Sequence, residues 1–170
     1  MYGRTEAHHT SNMLPASRSA AWVGGIALLG LLALSTPLIH ARVYEKCELA
    51  KDLKNKYGFP LGQIPTLVCI AFQESGFNMS AVNRDRNKDK SIDYGIFQIN
   101  NRYWCDRGPK KGCHVTCQTL LTDMDEVAKC VKAVYAETKK LRGDGFKAWS
   151  SYLNHLCDYP YPYTAKCDLN

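Results

Sequence analysis

The chain has 170 residues, of which 45% are hydrophobic and 11% aromatic, and this composition excludes a disordered or collagen-like protein. Its length allows one domain or at most a small pair, and a single long apolar stretch excludes a polytopic membrane protein. Lys and Arg number 22 against 16 Asp and Glu, giving a formal charge of +6 that favours approach to anionic surfaces without identifying one.

The apolar stretch runs from Ala20 to Leu34 without a charge, and Arg4 and Arg18 precede it. It continues through Pro37 to Ile39-His40-Ala41. A basic leader, an apolar core, a proline and a small residue make a secretory signal, so residues 1–41 are read as a signal peptide and residues 42–170 as one secreted domain. The competing reading is an uncleaved anchor over residues 20–39, a length that suits a bilayer. All eight cysteines follow Ala41, and an even number behind an export signal implies four disulfides, with every pairing open to arithmetic. Zinc is the other use for Cys105, Cys113, His114, Cys117 and Cys130. No paired C-x2-C knuckle is present, so no metal is expected.

Leu49, Ala50, Leu53 and Tyr57 recur at helical spacing, and Gly58 is a stop. Pro65 opens a second helix in which residues 67–72 are apolar all round, so it is expected to be buried, and Gly76 ends it. The polar run Asn83 to Lys90 suits a hairpin turn. Residues 91–99 then alternate Ile92, Tyr94 and Ile96 with Asp93, Gly95 and Phe97, which predicts a strand. Residues 105–117 read as a Gly/Pro/Lys loop. Asp123 is placed to cap a helix with Val127, Cys130, Val131, Val134, Thr138 and Leu141 on one face, broken by Gly143 and Gly145. Phe146, Trp149, Leu153 and Leu156 suggest one more short helix. Helices on either side of a small antiparallel hairpin make an α+β fold.

Two carboxylates stand in unlike surroundings. Glu74 ends an apolar helix, where a negative charge opposes the helix dipole, so it is expected to hold its proton. Asp93 lies on a polar strand face, where the ionised form is supported. A neutral acid and an anion together can cleave an acetal: one protonates the leaving oxygen and the other meets the oxocarbenium ion. Taken alone, a helix-end Glu and a turn Asp are more often ordinary surface groups.

The surrounding residues narrow the reading. Val43-Tyr44-Glu45-Lys46-Cys47-Glu48-Leu49-Ala50, then Cys69 with Glu74-Ser75-Gly76-Phe77-Asn78, resembles the start of a c-type lysozyme. So does Asp93-Tyr94-Gly95-Ile96-Phe97-Gln98-Ile99-Asn100-Asn101-Arg102-Tyr103-Trp104-Cys105, and Ala148-Trp149 with Asn154 and Cys157 continues the match, which looks most like the invertebrate branch. The resemblance spans essentially all of residues 42–170. It implies a disulfide-rich fold with a helical lobe, a small β lobe and a cleft between them, and the pairs Cys47–Cys167, Cys69–Cys157, Cys105–Cys117 and Cys113–Cys130. It also implies Glu74 as general acid and Asp93 as nucleophile or stabilising carboxylate, a division of which lysozyme is itself the type case. Trp149 would wall the pocket of the acid. Tyr103 and Trp104 would line the sugar cleft, although neighbours in an extended chain point to opposite sides, which favours Trp104 for stacking. Asn83, Gln98 and Asn100 would orient Asp93 or the sugar.

The sequence also departs from the family pattern. The spacing from Glu74 to Asp93 is two residues longer than the commonest vertebrate one, and the extra length falls in the charged turn. The Cys105–Cys113 loop is short, and Arg142 falls near a position that is acidic in some relatives. Asp123, Asp125 and Glu126 do not match the offsets of calcium-binding relatives. Asn78-Met79-Ser80 is an N-glycosylation sequon. The resemblance implies a secreted, antimicrobial, retaining glycoside hydrolase acting on peptidoglycan or chitooligosaccharide. It would be a monomer without metal, cofactor or nucleic-acid partner. A non-catalytic lysozyme-like protein that binds carbohydrate or a cell surface is the alternative, since fold alone does not fix function.

Overall fold

The computed structural model describes residues 42–108 and 112–169. The expected signal peptide lies outside the described residues. Helix α1 (Lys46–Lys51) continues into a wider π-helical turn, Asp52–Lys56, in which Tyr57 N–H donates to Asp52 O at 2.9 Å. Leu49, Ala50 and Leu53 are fully buried from this segment, and Gly58 ends it at φ +62°. A short 3-10 turn, Leu61–Gln63, leads into α2 (Ile64–Ser75), with Pro65 in its first turn and Gly76 in the left-handed conformation behind it. Residues Leu67 to Ala71 are buried on every side. Phe72 is the exception to the expected all-round burial. It is 46% exposed and packs between the rings of Phe77 and Tyr163.

Three two-residue strands follow: β1 (Val82–Asn83), β2 (Asp93–Tyr94) and β3 (Ile99–Asn100). They form one antiparallel sheet in chain order, with Asp93 opposite Asn83 on one side and Asn100 on the other. The turn expected over residues 83–90 therefore joins β1 to β2. The single strand expected over residues 91–99 is not formed, because residues 95–98 reverse the chain between β2 and β3. Gly95 sits at φ +75° with its α-carbon against the backbone of Leu120, where a Cβ would lie 2.6 Å from the carbonyl oxygen. Gln98 N–H closes the turn onto Gly95 O at 3.0 Å. Ile96 and Phe97 are adjacent yet both fully buried, which strand alternation does not allow.

Helix α3 (Met124–Arg142) is capped by Asp123, whose carboxylate accepts from Asp125 N and Glu126 N, and it stops at Gly143. Val127, Cys130, Val131, Val134 and Thr138 are buried as expected. Leu141, placed on the same face by periodicity, is 72% exposed, because the helix has already run past the core at its last turn. The final helix expected from Phe146 to Leu156 is divided. A 3-10 turn (Gly145–Ala148) and α4 (Ser150–Leu153) are separated by Trp149 in an extended conformation, and Leu153 and Leu156 are exposed. Trp149 is withdrawn from helical register because its indole N–H donates to Phe97 O at 2.9 Å, tying the helical side to the sheet turn. A 3-10 turn at Tyr161–Tyr163 ends the described fold.

Four disulfides join Cys47 to Cys167, Cys69 to Cys157, Cys105 to Cys117 and Cys113 to Cys130, the same pairs that the resemblance implies. Helices with a small three-stranded antiparallel sheet make this the α+β fold that the resemblance implies. No helix among the described residues is long and apolar enough to cross a membrane.

Candidate active site

Glu74 sits in the last turn of α2, held there by the packing that buries Leu67 to Ala71. Its side chain is half-buried. Oε1 accepts from Ser151 N–H at 3.1 Å and from the Ser150 hydroxyl at 3.4 Å, both at the start of α4. Among the described residues Oε2 has no hydrogen-bond partner, so one oxygen is fixed and the other is uncommitted.

Asp93 occupies the middle strand. Oδ1 accepts from Asn100 Nδ2 at 2.7 Å and Oδ2 accepts from Asn87 Nδ2 at 2.8 Å. Amide N–H groups only donate, so this pairing suits a carboxylate and fixes its plane. A supporting network holds the amides in turn. Asn100 Nδ2 also reaches Ser91 Oγ at 2.8 Å, Asn87 Nδ2 reaches Ser91 O at 3.1 Å, and Ser91 Oγ donates to Asp89 at 2.6 Å. Asp89 pairs with Arg102 at 3.0 Å. The Ser91 hydroxyl, then its backbone N–H, hold the Asp89 carboxyl below its ordinary range.

Glu74 and Asp93 line one cleft of about 210 Å³, together with Asn87, Gln98, Asn100, Tyr103, Trp104 and Trp149. Tyr103 and Trp104 both reach it, against the expectation that they face opposite ways. The chain here is a turn rather than an extended segment, with Trp104 N–H donating to Asn100 O at 2.9 Å. Tyr103 is 60% exposed at the cleft mouth. Trp149 is buried and contributes an apolar wall, its N–H being committed to Phe97.

Of the three amides expected to orient Asp93 or the sugar, Asn100 is the one that bonds Asp93. Gln98 borders the cleft, but its Nε2 donates to Gly95 O at 2.9 Å and to Ala81 O at 3.3 Å. Asn83 pairs with Asp93 in the ladder, yet its Oδ1 accepts from Arg86 N–H at 3.2 Å and so braces the turn. The second ligand of Asp93 is Asn87, which sequence reasoning missed. It lies among seven polar residues, and nothing in their order marks the one that folds back.

A wider trough of about 830 Å³ adjoins the cleft and shares Glu74 and Gln98 with it. Its walls are Gln73 to Gly76 at the end of α2 and Ala81 to Arg86 from β1 and the turn. Arg142 lines neither cavity and donates to Lys147 O at 2.8 Å. Among the described residues no cluster of His, Cys, Asp and Glu could hold a metal ion.

A family model described as C-type lysozyme/alpha-lactalbumin family matches residues 42–167. Lysozyme C of Penaeus merguiensis is 44% identical over 135 residues, 76% of this chain and 80% of that protein. Lysozyme c-1 of Anopheles gambiae is 39% identical over 142 residues, 82% of this chain and 94% of that one. A crystal structure of a lysozyme from Litopenaeus vannamei superposes with a TM-score of 0.66 at 40% identity, over 76% of this chain and 100% of the other. With the match running from the first described residue through the last cysteine, the chain belongs to the C-type lysozyme/alpha-lactalbumin family.

Proposed function

We propose that the protein is a lysozyme, a glycoside hydrolase that cleaves the β-1,4 bond between N-acetylmuramic acid and N-acetylglucosamine of bacterial peptidoglycan with retention of configuration. The observation that carries this reading is the pair of carboxylates on one cleft, one braced on a single oxygen and the other on both. Glu74 gives its proton to the glycosidic oxygen as that bond breaks. Asp93 captures the anomeric carbon as an ester or holds it as an ion pair. Glu74, now a carboxylate, takes a proton from water, whose oxygen attacks the anomeric carbon and releases Asp93. Amides on both oxygens keep Asp93 aimed without reorganisation during the reaction. Trp104, whose indole N–H has no partner among the described residues, offers a stacking face and a donor to the sugar.

The disulfides and the leader composition support export, with residues 1–41 removed and residues 42–170 acting as a monomeric antibacterial enzyme outside the cell. The test is lysis of purified peptidoglycan by the oxidised protein from Arg42 onward. Glu74→Gln is expected to lower lysis by about 10²–10⁴-fold while leaving the fold intact. Lysis at the unmodified level by that variant overturns the acid assignment. A folded parent that binds the polymer without cutting it supports the non-catalytic binding protein instead.

A further inference from the structure

The trough beyond Glu74 is lined on its sheet side by Arg84, Asp85 and Arg86, from the lengthened turn between β1 and β2. The two arginine side chains are exposed, and among the described residues neither makes an ion pair or a side-chain hydrogen bond. Other exposed cations, Lys88 and Lys90 of the same turn among them, also lack an ion pair among the described residues, but Arg84 and Arg86 are the cations that line the trough. The backbone that carries the arginines is nonetheless anchored, by Arg86 N–H to Asn83 Oδ1 and by Asn87 to Asp93. A braced turn thus holds two unmatched guanidinium groups over a groove that opens directly from the cleft. The acids on the same walls are Asp85 and Glu74. With Glu74 replaced by Gln, as in the experiment below, the lining is net positive by one.

We propose that Arg84 and Arg86 select for glycans bearing carboxylates on the side of the cleft beyond Glu74, so that peptidoglycan with free acidic stem peptides is preferred over the same glycan with those carboxylates neutralised, and over uncharged chitooligosaccharide. This inference rests on the reading of the cleft as a peptidoglycan site and adds the source of its charge preference. A strand lying between Glu74 and Asp93 continues into the trough. The neutral sugars themselves present only hydroxyl and acetamido groups there, whereas a stem carboxylate matches the planar fork of a guanidinium.

The experiment measures binding rather than turnover, on Glu74→Gln protein so that the ligand survives. Soluble muropeptide tetrasaccharides are titrated in two forms, with free stem carboxylates and with the same groups converted to carboxamides. The free-carboxylate form is expected to bind about three- to tenfold tighter, as two solvent-exposed ion pairs allow, with the ratio shrinking as salt is added. Adding Arg84→Gln and Arg86→Gln brings the ratio to about one, and Arg84→Lys with Arg86→Lys retains a preference, which separates lost charge from a disturbed turn. Equal affinity for the two forms, a ratio that survives the glutamine pair, or no binding of either form overturns the inference. Turnover by the unmodified protein is a separate readout that bears on the hydrolase reading alone.

Discussion

Asn87 donates to Asp93 from a turn that also presents four exposed cations, so one short segment serves both the carboxylate proposed to react and the neighbouring surface. A hydrogen bond to a charged group contributes about 1.5–3 kcal/mol. Asn87→Ala is therefore expected to lower kcat on peptidoglycan about tenfold with a much smaller change in melting temperature, measured by steady-state lysis and thermal unfolding. An unchanged kcat would show that Asn100 alone orients Asp93. The two carboxylates, Asn100, Trp104 and Trp149 were legible in the sequence because they fall inside long family-like stretches. Asn87 was not, since a side chain returning across a turn leaves no periodic trace. Asn83 and Gln98, expected to orient Asp93 or the sugar, border the trough beside Glu74 without a side-chain bond to Asp93. Both spend their amides on backbone groups that the sequence does not show to be nearby.

At the level of elements, the largest departure from expectation is the chain reversal after Tyr94. Alternation of apolar residues described a strand, but Gly95 must sit in the left-handed region against Leu120 O, and that tertiary approach converts one strand into two. Gly95→Ala forces a strained conformation and a backbone overlap together, and is expected to destabilise the fold by about 2–4 kcal/mol in denaturant titration. Helix α3 was legible to its caps because a cap residue, a single apolar face and a terminal glycine all agree. The divided helix around Trp149 was not, because its break is set by a hydrogen bond to Phe97, 52 residues away in sequence. The sheet turn also carries a pH response. Asp89 titrates below its ordinary range in the folded state, so its contribution is present in full above the usual carboxylate range and is lost as the pH falls through the lowered value. Protection of the Ser91 amide, which donates to Asp89 at 3.0 Å, measured against its intrinsic exchange rate at each pH, should fall in acid before protection in α2 does.

Across the whole molecule, the four disulfides are unevenly distributed. Cys47–Cys167 closes a sequence separation of 120 residues and Cys69–Cys157 one of 88, while Cys105–Cys117 closes the loop before α3 on itself and Cys113–Cys130 fastens that loop to the helix. Replacing Cys47 and Cys167 by alanine is expected to cost about 2–5 kcal/mol of unfolding free energy, read from a shifted denaturation midpoint. No bridge lies within residues 82–100, so the sheet is held to the helices by weaker links. Among these are Ser75 Oγ to Ile96 O at 2.8 Å and Trp149 Nε1 to Phe97 O at 2.9 Å. Both long bridges have one end before residue 84 and the other after residue 90. A trypsin cut in the exposed Arg84–Lys90 turn would therefore leave the two pieces as one molecule on a non-reducing gel, parting only when thiol is added. Such a nicked protein would have its halves still joined but Asp93 detached from the strand beside it, a species of full mass and no lytic power.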